Sequence, residues 1–118
     1  MAAKDAVGRY GEEVAARRLT EKGWTVLACN WRCREGEIDI VAADGDALVV
    51  VEVKTRRGSA MGTPQEAVTA RKLSRLRRLA AVWLASQDSR WPEVRIDVIA
   101  VTLPRAGAAG VEHLRAVG

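Results

Sequence analysis

The run from Glu37 to Lys54, Glu-Ile-Asp-Ile-Val-Ala-Ala-Asp-Gly-Asp-Ala-Leu-Val-Val-Val-Glu-Val-Lys, constrains this chain more than any other stretch. Apolar runs flank the turn signal Asp44-Gly45-Asp46, so the segment reads as a β-hairpin. Side chains alternate across a strand, which puts Glu52 and Lys54 on one face of the second strand and Val49, Val51 and Val53 on the other. By the same rule Glu37 and Asp39 share one face of the first strand, with Ile38 and Ile40 opposite. Acidic and basic groups thus converge on one patch of an otherwise apolar hairpin. Asp39 and Glu52 share a face only if the loop holds an even number of residues, or if a bulge restores the phase. A two-residue Asp44-Gly45 loop sets Glu37 opposite Glu52, whereas a four-residue loop sets Asp39 directly opposite it.

The flanking segments supply the rest of a core. Residues 5 to about 22 repeat apolar side chains at helical spacing and end at Gly23. Within this helix Glu13 stands four residues from both Arg9 and Arg17, the spacing of exposed ion pairs. Glu12 instead shares the face of Gly8, Ala15, Ala16 and Leu19, where a carboxylate needs a cation or a polar partner. Residues 24–29 read as a strand, and residues 30–36 as a polar connection. Thr63 as N-cap, Pro64 and a Glu66 capping box predict the start of a second helix ending near Ser86. Val68, Leu73, Leu76, Leu79, Ala80 and Trp83 form its buried side, and Arg71, Lys72, Arg75 and Arg78 a basic flank. Residues 94–103 predict a further strand with a local Arg95–Asp97 pair, and residues 111–114 a short final element.

At 118 residues the chain is long enough for one domain, spanning 1–118, and too short for two. Its net charge of +4 comes from fifteen arginines and four lysines against fifteen acids. Planar guanidinium groups suit phosphate recognition, although an arginine-rich coding bias yields the same excess. Two cysteines and one histidine exclude a four-ligand zinc site built from Cys and His within one chain. Cys29 and Cys33 are expected as reduced thiols. No signal-peptide or membrane-spanning run is present, so a cytoplasmic location without membrane partners is expected.

Two carboxylates on adjacent strands, a lysine two residues beyond the second and a third carboxylate on a packed helix form an oxygen-rich site suited to Mg²⁺, or to Mn²⁺. Such an ion relieves the repulsion among the carboxylates and can activate water at a phosphodiester. Lys54 would orient or deprotonate that water or stabilise the transition state. Singly, each piece is commonplace, since a Glu-x-Lys pair in a strand is usually an exposed ion pair.

Asp39, twelve intervening residues and Glu52-Val53-Lys54 resemble the signature of the PD-(D/E)XK nuclease superfamily. The wider run resembles its YraN-type branch, a bacterial family described as endonucleases, through Gly8-x-x-Gly11-Glu12, Gly36-Glu37-Ile38-Asp39, Val51-Glu52-Val53-Lys54-x-Arg56, the Lys72-containing helix and Arg95-Ile96-Asp97-Val98. The resemblance implies an α/β restriction-endonuclease-like core, a mixed central sheet flanked by helices, related to archaeal Holliday-junction resolvases. It implies Glu12, Asp39 and Glu52 as metal ligands, and Asp39, Glu52 and Lys54 as the catalytic set. The superfamily's usual proline before the aspartate is replaced by Ile38. Glu37, Gln65 and Asp97 also match recurring positions without an assigned chemistry, Gln65 being explained equally by the helix start.

The resulting expectation is a Mg²⁺-dependent endonuclease acting on DNA, including branched or damaged DNA. Arg56, Arg57, Arg71, Lys72, Arg75 and Arg78 would hold the backbone, and a homodimer would supply the two active sites a junction resolvase needs. A non-catalytic nucleic-acid-binding accessory module that keeps the fold is the alternative. A purely structural ion-pair network is the third reading.

Overall fold

The first helix begins where Asp5 caps it, its carboxylate accepting the Gly8 N–H at 2.8 Å. Helix α1 runs Ala6–Glu21, and Gly23, at φ +89°, turns the chain out of it. The structure, a computed structural model, describes residues 5–58 and 68–118. Strands β1 (Thr25–Cys33), β2 (Gly36–Asp44) and β3 (Ala47–Arg57) follow, then α2 (Ala70–Ala85), β4 (Glu93–Leu103) and β5 (Gly110–Leu114). The five strands form one mixed sheet in the order β1-β2-β3-β4-β5. Among the described strands only β3 and β4 are parallel neighbours, because α2 carries the chain back between them, as a parallel connection requires.

One helix covers each face of the sheet. Ala15 and Leu19 of α1 pack on Ile40, Ala42, Val49, Val51, Ile99 and Val101, while Leu76, Leu79, Ala80 and Trp83 of α2 pack on Ile38, Val41, Leu48, Val50 and Ile96. The central strands are therefore apolar on both sides, as expected for strands buried between two layers. The expectation of one apolar and one chemical face on β3 holds only beyond Val51, where the polar residues begin. Ile38 and Ile40 were expected on one face, yet they enter different cores; strict alternation fails where β2 parts from β3.

The second hairpin turns one residue later than the Asp44-Gly45 loop. Asp44 pairs with Ala47, leaving the two-residue loop Gly45-Asp46. Gly45 has φ +58°, which fits the first loop position of a type II′ turn. The even loop satisfies the parity rule, and the ladder it sets ends at Ile40↔Val51, one step before Asp39 and Glu52. β1 does not stop at Cys29: it continues to Cys33, which pairs with Gly36, so the expected polar connection shrinks to the turn Arg34-Glu35. Both cysteines are free thiols.

The expected helix start at Thr63, Pro64 and Glu66 lies outside the described residues, as does Gln65. The helix that carries Leu76 to Trp83 begins at Ala70, with Thr69 as its N-cap accepting the Lys72 N–H at 3.1 Å. Val68 thus precedes α2 rather than lining its buried side. No helix among the described residues is long and apolar enough to cross a membrane.

Candidate functional site

A fork in the sheet creates the site. The β2–β3 ladder runs from Asp44↔Ala47 to Ile40↔Val51 and stops. Beyond it β2 stays paired with β1 back to Gly36, while β3 stays paired with β4 out to Arg57. The two strands therefore separate at Asp39 and Glu52. Asp39 spans the crotch: its Oδ2 accepts the Val53 N–H at 2.8 Å, replacing the next rung of the ladder with a side chain.

An open cleft of about 290 Å³ occupies the fork and is lined by Gly8, Glu12, Asp39, Glu52, Lys54 and Thr55, among others. Glu12 reaches it from α1 and Asp39 from β2, and both are only 8% exposed. Glu13 is exposed, so helical phase separates the two glutamates as expected. Glu52 extends from β3, where its Oε2 lies 2.9 Å from Nζ of Lys72 on α2. Groups from opposite layers meet here because no ladder fills the gap. Lys54 lines the same cleft and is exposed.

Gly11 lets α1 approach closely enough to deliver Glu12. A Cβ at that position would fall 1.8 Å from Oγ1 and 2.7 Å from Cβ of Thr55, so only glycine fits against β3. Cys29 feels the same neighbourhood: burial pushes its thiol up, and the Glu12 charge adds to that. Its thiolate form is disfavoured.

The donor set suits a hard divalent cation, being carboxylate oxygens without imidazole or thiolate. Among the described residues, however, no three His, Cys, Asp or Glu side chains are already gathered closely enough to hold an ion. Glu12, Asp39 and Glu52 share the cleft but do not form a closed cage. Lys72 engages Oε2 of Glu52.

The residues expected to contact nucleic acid divide into two groups. Arg71, Arg75 and Arg78 are exposed on α2, Arg57 is exposed at the end of β3, and Arg56 is half-buried. Lys72 differs from its helix neighbours, being drawn inward to Glu52. Glu37 points to the first hairpin, where Arg32 Nε donates to it at 2.9 Å.

The model of the uncharacterised protein family UPF0102 matches residues 11–101, from the glycine beside Glu12 through β4. The chain belongs to the UPF0102 family. A UPF0102 protein of Kineococcus radiotolerans is 63% identical over 116 residues, covering 98% of this chain and 95% of that protein. One from Beutenbergia cavernae is 63% identical over 118 residues, with both chains fully covered. One from Streptomyces coelicolor is 60% identical over 119 residues, covering 99% of this chain and 92% of that protein. This is the YraN-like family that the motifs resemble.

A second polar cluster in the UPF0102 chain was anticipated only as a local Arg95–Asp97 pair. Asp97 is fully buried. Its Oδ1 accepts from Arg95 Nε at 3.0 Å and from the Ala116 N–H at 2.9 Å, and its Oδ2 lies 2.8 Å from His113 Nε2. Lys22 Nζ is 2.8 Å from His113 Nδ1; because an ammonium can only donate, the ring proton belongs on Nε2, facing Asp97. Arg95 and Arg115 both reach Asp44 Oδ2, at 3.2 and 3.0 Å. The Arg95 guanidinium lies 5.2 Å from the centre of the Trp24 ring. Burial alone would raise the Asp97 carboxyl, but hydrogen bonds from His113, Arg95 and Ala116 outweigh it and hold the group below its ordinary range. This cluster ties β4, β5 and the last residues together toward the β2–β3 turn, away from the cleft.

Proposed function

We propose that the chain is a metal-dependent endonuclease of the restriction-endonuclease-like, PD-(D/E)XK type, acting on DNA. The convergence of Glu12, Asp39, Glu52 and Lys54 on one forked cleft supports this reading most directly. Glu12, Asp39 and Glu52 would hold Mg²⁺ or Mn²⁺, which supplies charge neutralisation at the phosphate and a more acidic water. Asp39 keeps a fixed orientation through the Val53 N–H, so the ligand on β2 is positioned before substrate arrives. Lys54, exposed at the cleft, can reach a phosphate oxygen or receive a proton from the attacking water once deprotonated. Arg56, Arg57 and the exposed arginines of α2 would supply backbone contacts that carry little sequence information. A four-way junction would need two clefts, and therefore a dimer.

The open arrangement of the carboxylates favours one second reading, an accessory module that binds nucleic acid without cutting it. One experiment separates the two. Purified protein is incubated with linear, nicked and four-way-junction DNA plus Mg²⁺ or Mn²⁺. The nuclease reading expects metal-dependent cleavage that falls by about 100-fold or more in Asp39→Ala and in Lys54→Met. Salt-sensitive binding with no cleavage above the Asp39→Ala level would overturn it in favour of the accessory module.

A further inference from the structure

We infer that Lys72 is the internal counter-ion of the cleft and competes with a divalent cation for Glu52, so that it weakens the cleft's hold on the ion. This deepens the proposed nuclease reading and rests on it. Lys72 stands apart from the basic residues around it. Its side chain is 25% exposed and lies 2.9 Å from a carboxylate that is itself 17% exposed, whereas Arg71, Arg75 and Arg78 point outward. Helical spacing explains the difference, because Lys72 precedes Leu76 by four residues and Leu79 by seven, on the stripe that faces the sheet. Thr69 Oγ1 accepts the Lys72 N–H, which anchors the turn from which the side chain extends.

The charges at the fork explain what the pair does. Four carboxylates, those of Asp5, Glu12, Asp39 and Glu52, line the open cleft together with Lys54, and Lys72 meets the cleft through its contact with Glu52. A divalent cation binding to Glu52 would sit within a few ångströms of the Lys72 ammonium. Repulsion between them, at the effective dielectric of a half-buried site, is on the order of 100-fold or more in affinity. Removing Lys72 also frees Glu52 to reorient, and losing an orienting contact to a ligand costs about 10- to 100-fold. Repulsion is the larger effect, so the net change is tighter ion binding.

Titration calorimetry of the full chain with Mn²⁺ alone tests this without reference to turnover. Lys72→Met should bind Mn²⁺ at least about threefold more tightly than the wild type. Lys72→Arg, which keeps the charge, should stay within about twofold of it. Lys72→Gln removes the charge but keeps a donor for Glu52; it should tighten binding likewise, and it carries the test if Lys72→Met melts. In a Glu52→Gln background the gain from Lys72→Met should vanish. Unchanged or weaker binding in both neutral variants, beside a wild type that binds, would overturn this inference and leave the nuclease reading standing. A gain that survives Glu52→Gln would overturn it equally, because the effect would not pass through Glu52. Absence of Mn²⁺ binding in the wild type and in every Lys72 variant would overturn the metal-dependent reading and this inference together.

Discussion

Asp97→Ala should destabilise the fold by about 3–5 kcal/mol, the cost of removing one partner from a buried charged cluster. The carboxylate it deletes is fully buried and serves Arg95, His113 and the Ala116 N–H together. Its loss leaves a guanidinium that is only 10% exposed with Asp44 as its remaining acid. Urea or guanidinium unfolding measures the effect. Hydrogen exchange should locate it, because the Val117 N–H, bonded to Ile96 at 2.8 Å, should lose protection together with β5. Arg95→Met added to Asp97→Ala should cost less than it does alone, since both act on the same cluster. A ΔΔG below about 1 kcal/mol would show that the cluster does not hold the C-terminal segment in place.

The same residue sets an acid dependence. Its folded pKa lies below the ordinary carboxylate value of 3.8. A depressed pKa means that the folded state favours the ionised form, so the stabilisation is complete well above 3.8 and is lost as pH falls below it. Wild-type stability should therefore drop more steeply as pH falls below 3.8 than that of Asp97→Ala. Parallel acid-unfolding curves for the two proteins would contradict this.

The extent to which this architecture is legible in the chain depends on the distance between interacting residues. Glu12 was separable from Glu13 because helical phase is a local property, and the buried and exposed positions of the structure follow it. The even hairpin loop follows the parity rule, although the turn lies one residue later, since Asp-Gly and Gly-Asp are both acceptable loop pairs; the paired register ends one step short of Asp39 and Glu52. The fork was not legible, because it depends on β2 and β3 keeping their outer partners while releasing each other. Lys72 was grouped with the exposed arginines although its spacing from Leu76 and Leu79 already placed it on the buried stripe. Basic composition of the flank masked that signal. Thr69 caps α2, whereas the Thr63-Pro64-Gln65-Glu66 start signal lies outside the described residues. Asp97 was readable only as a neighbour of Arg95; Asp44 lies 51 positions from Arg95 and His113 16 positions from Asp97, and no local pattern connects them.

Gly11→Ala should be the most damaging small substitution near the cleft. In an open helix the change would be favourable by about 0.8–1 kcal/mol, because alanine is the better helix former. Here the new methyl would fall 2.7 Å from the Thr55 Cβ and nearer still to its hydroxyl oxygen, a contact that no rotamer change at Thr55 can relieve. α1 must therefore lift from β3, at the cost typical of overpacking, about 1–3 kcal/mol. Glu12 is the next residue, so the same displacement withdraws a carboxylate from the fork. The expected result is a folded protein with a lowered melting temperature and weaker Mn²⁺ binding. Thr55→Ala should restore part of both losses and Thr55→Gly more, since the Thr55 Cβ is itself one of the colliding atoms. A Gly11→Ala protein as stable as the wild type would mean that α1 does not approach β3 this closely, and the delivery of Glu12 to the cleft would lose its structural basis.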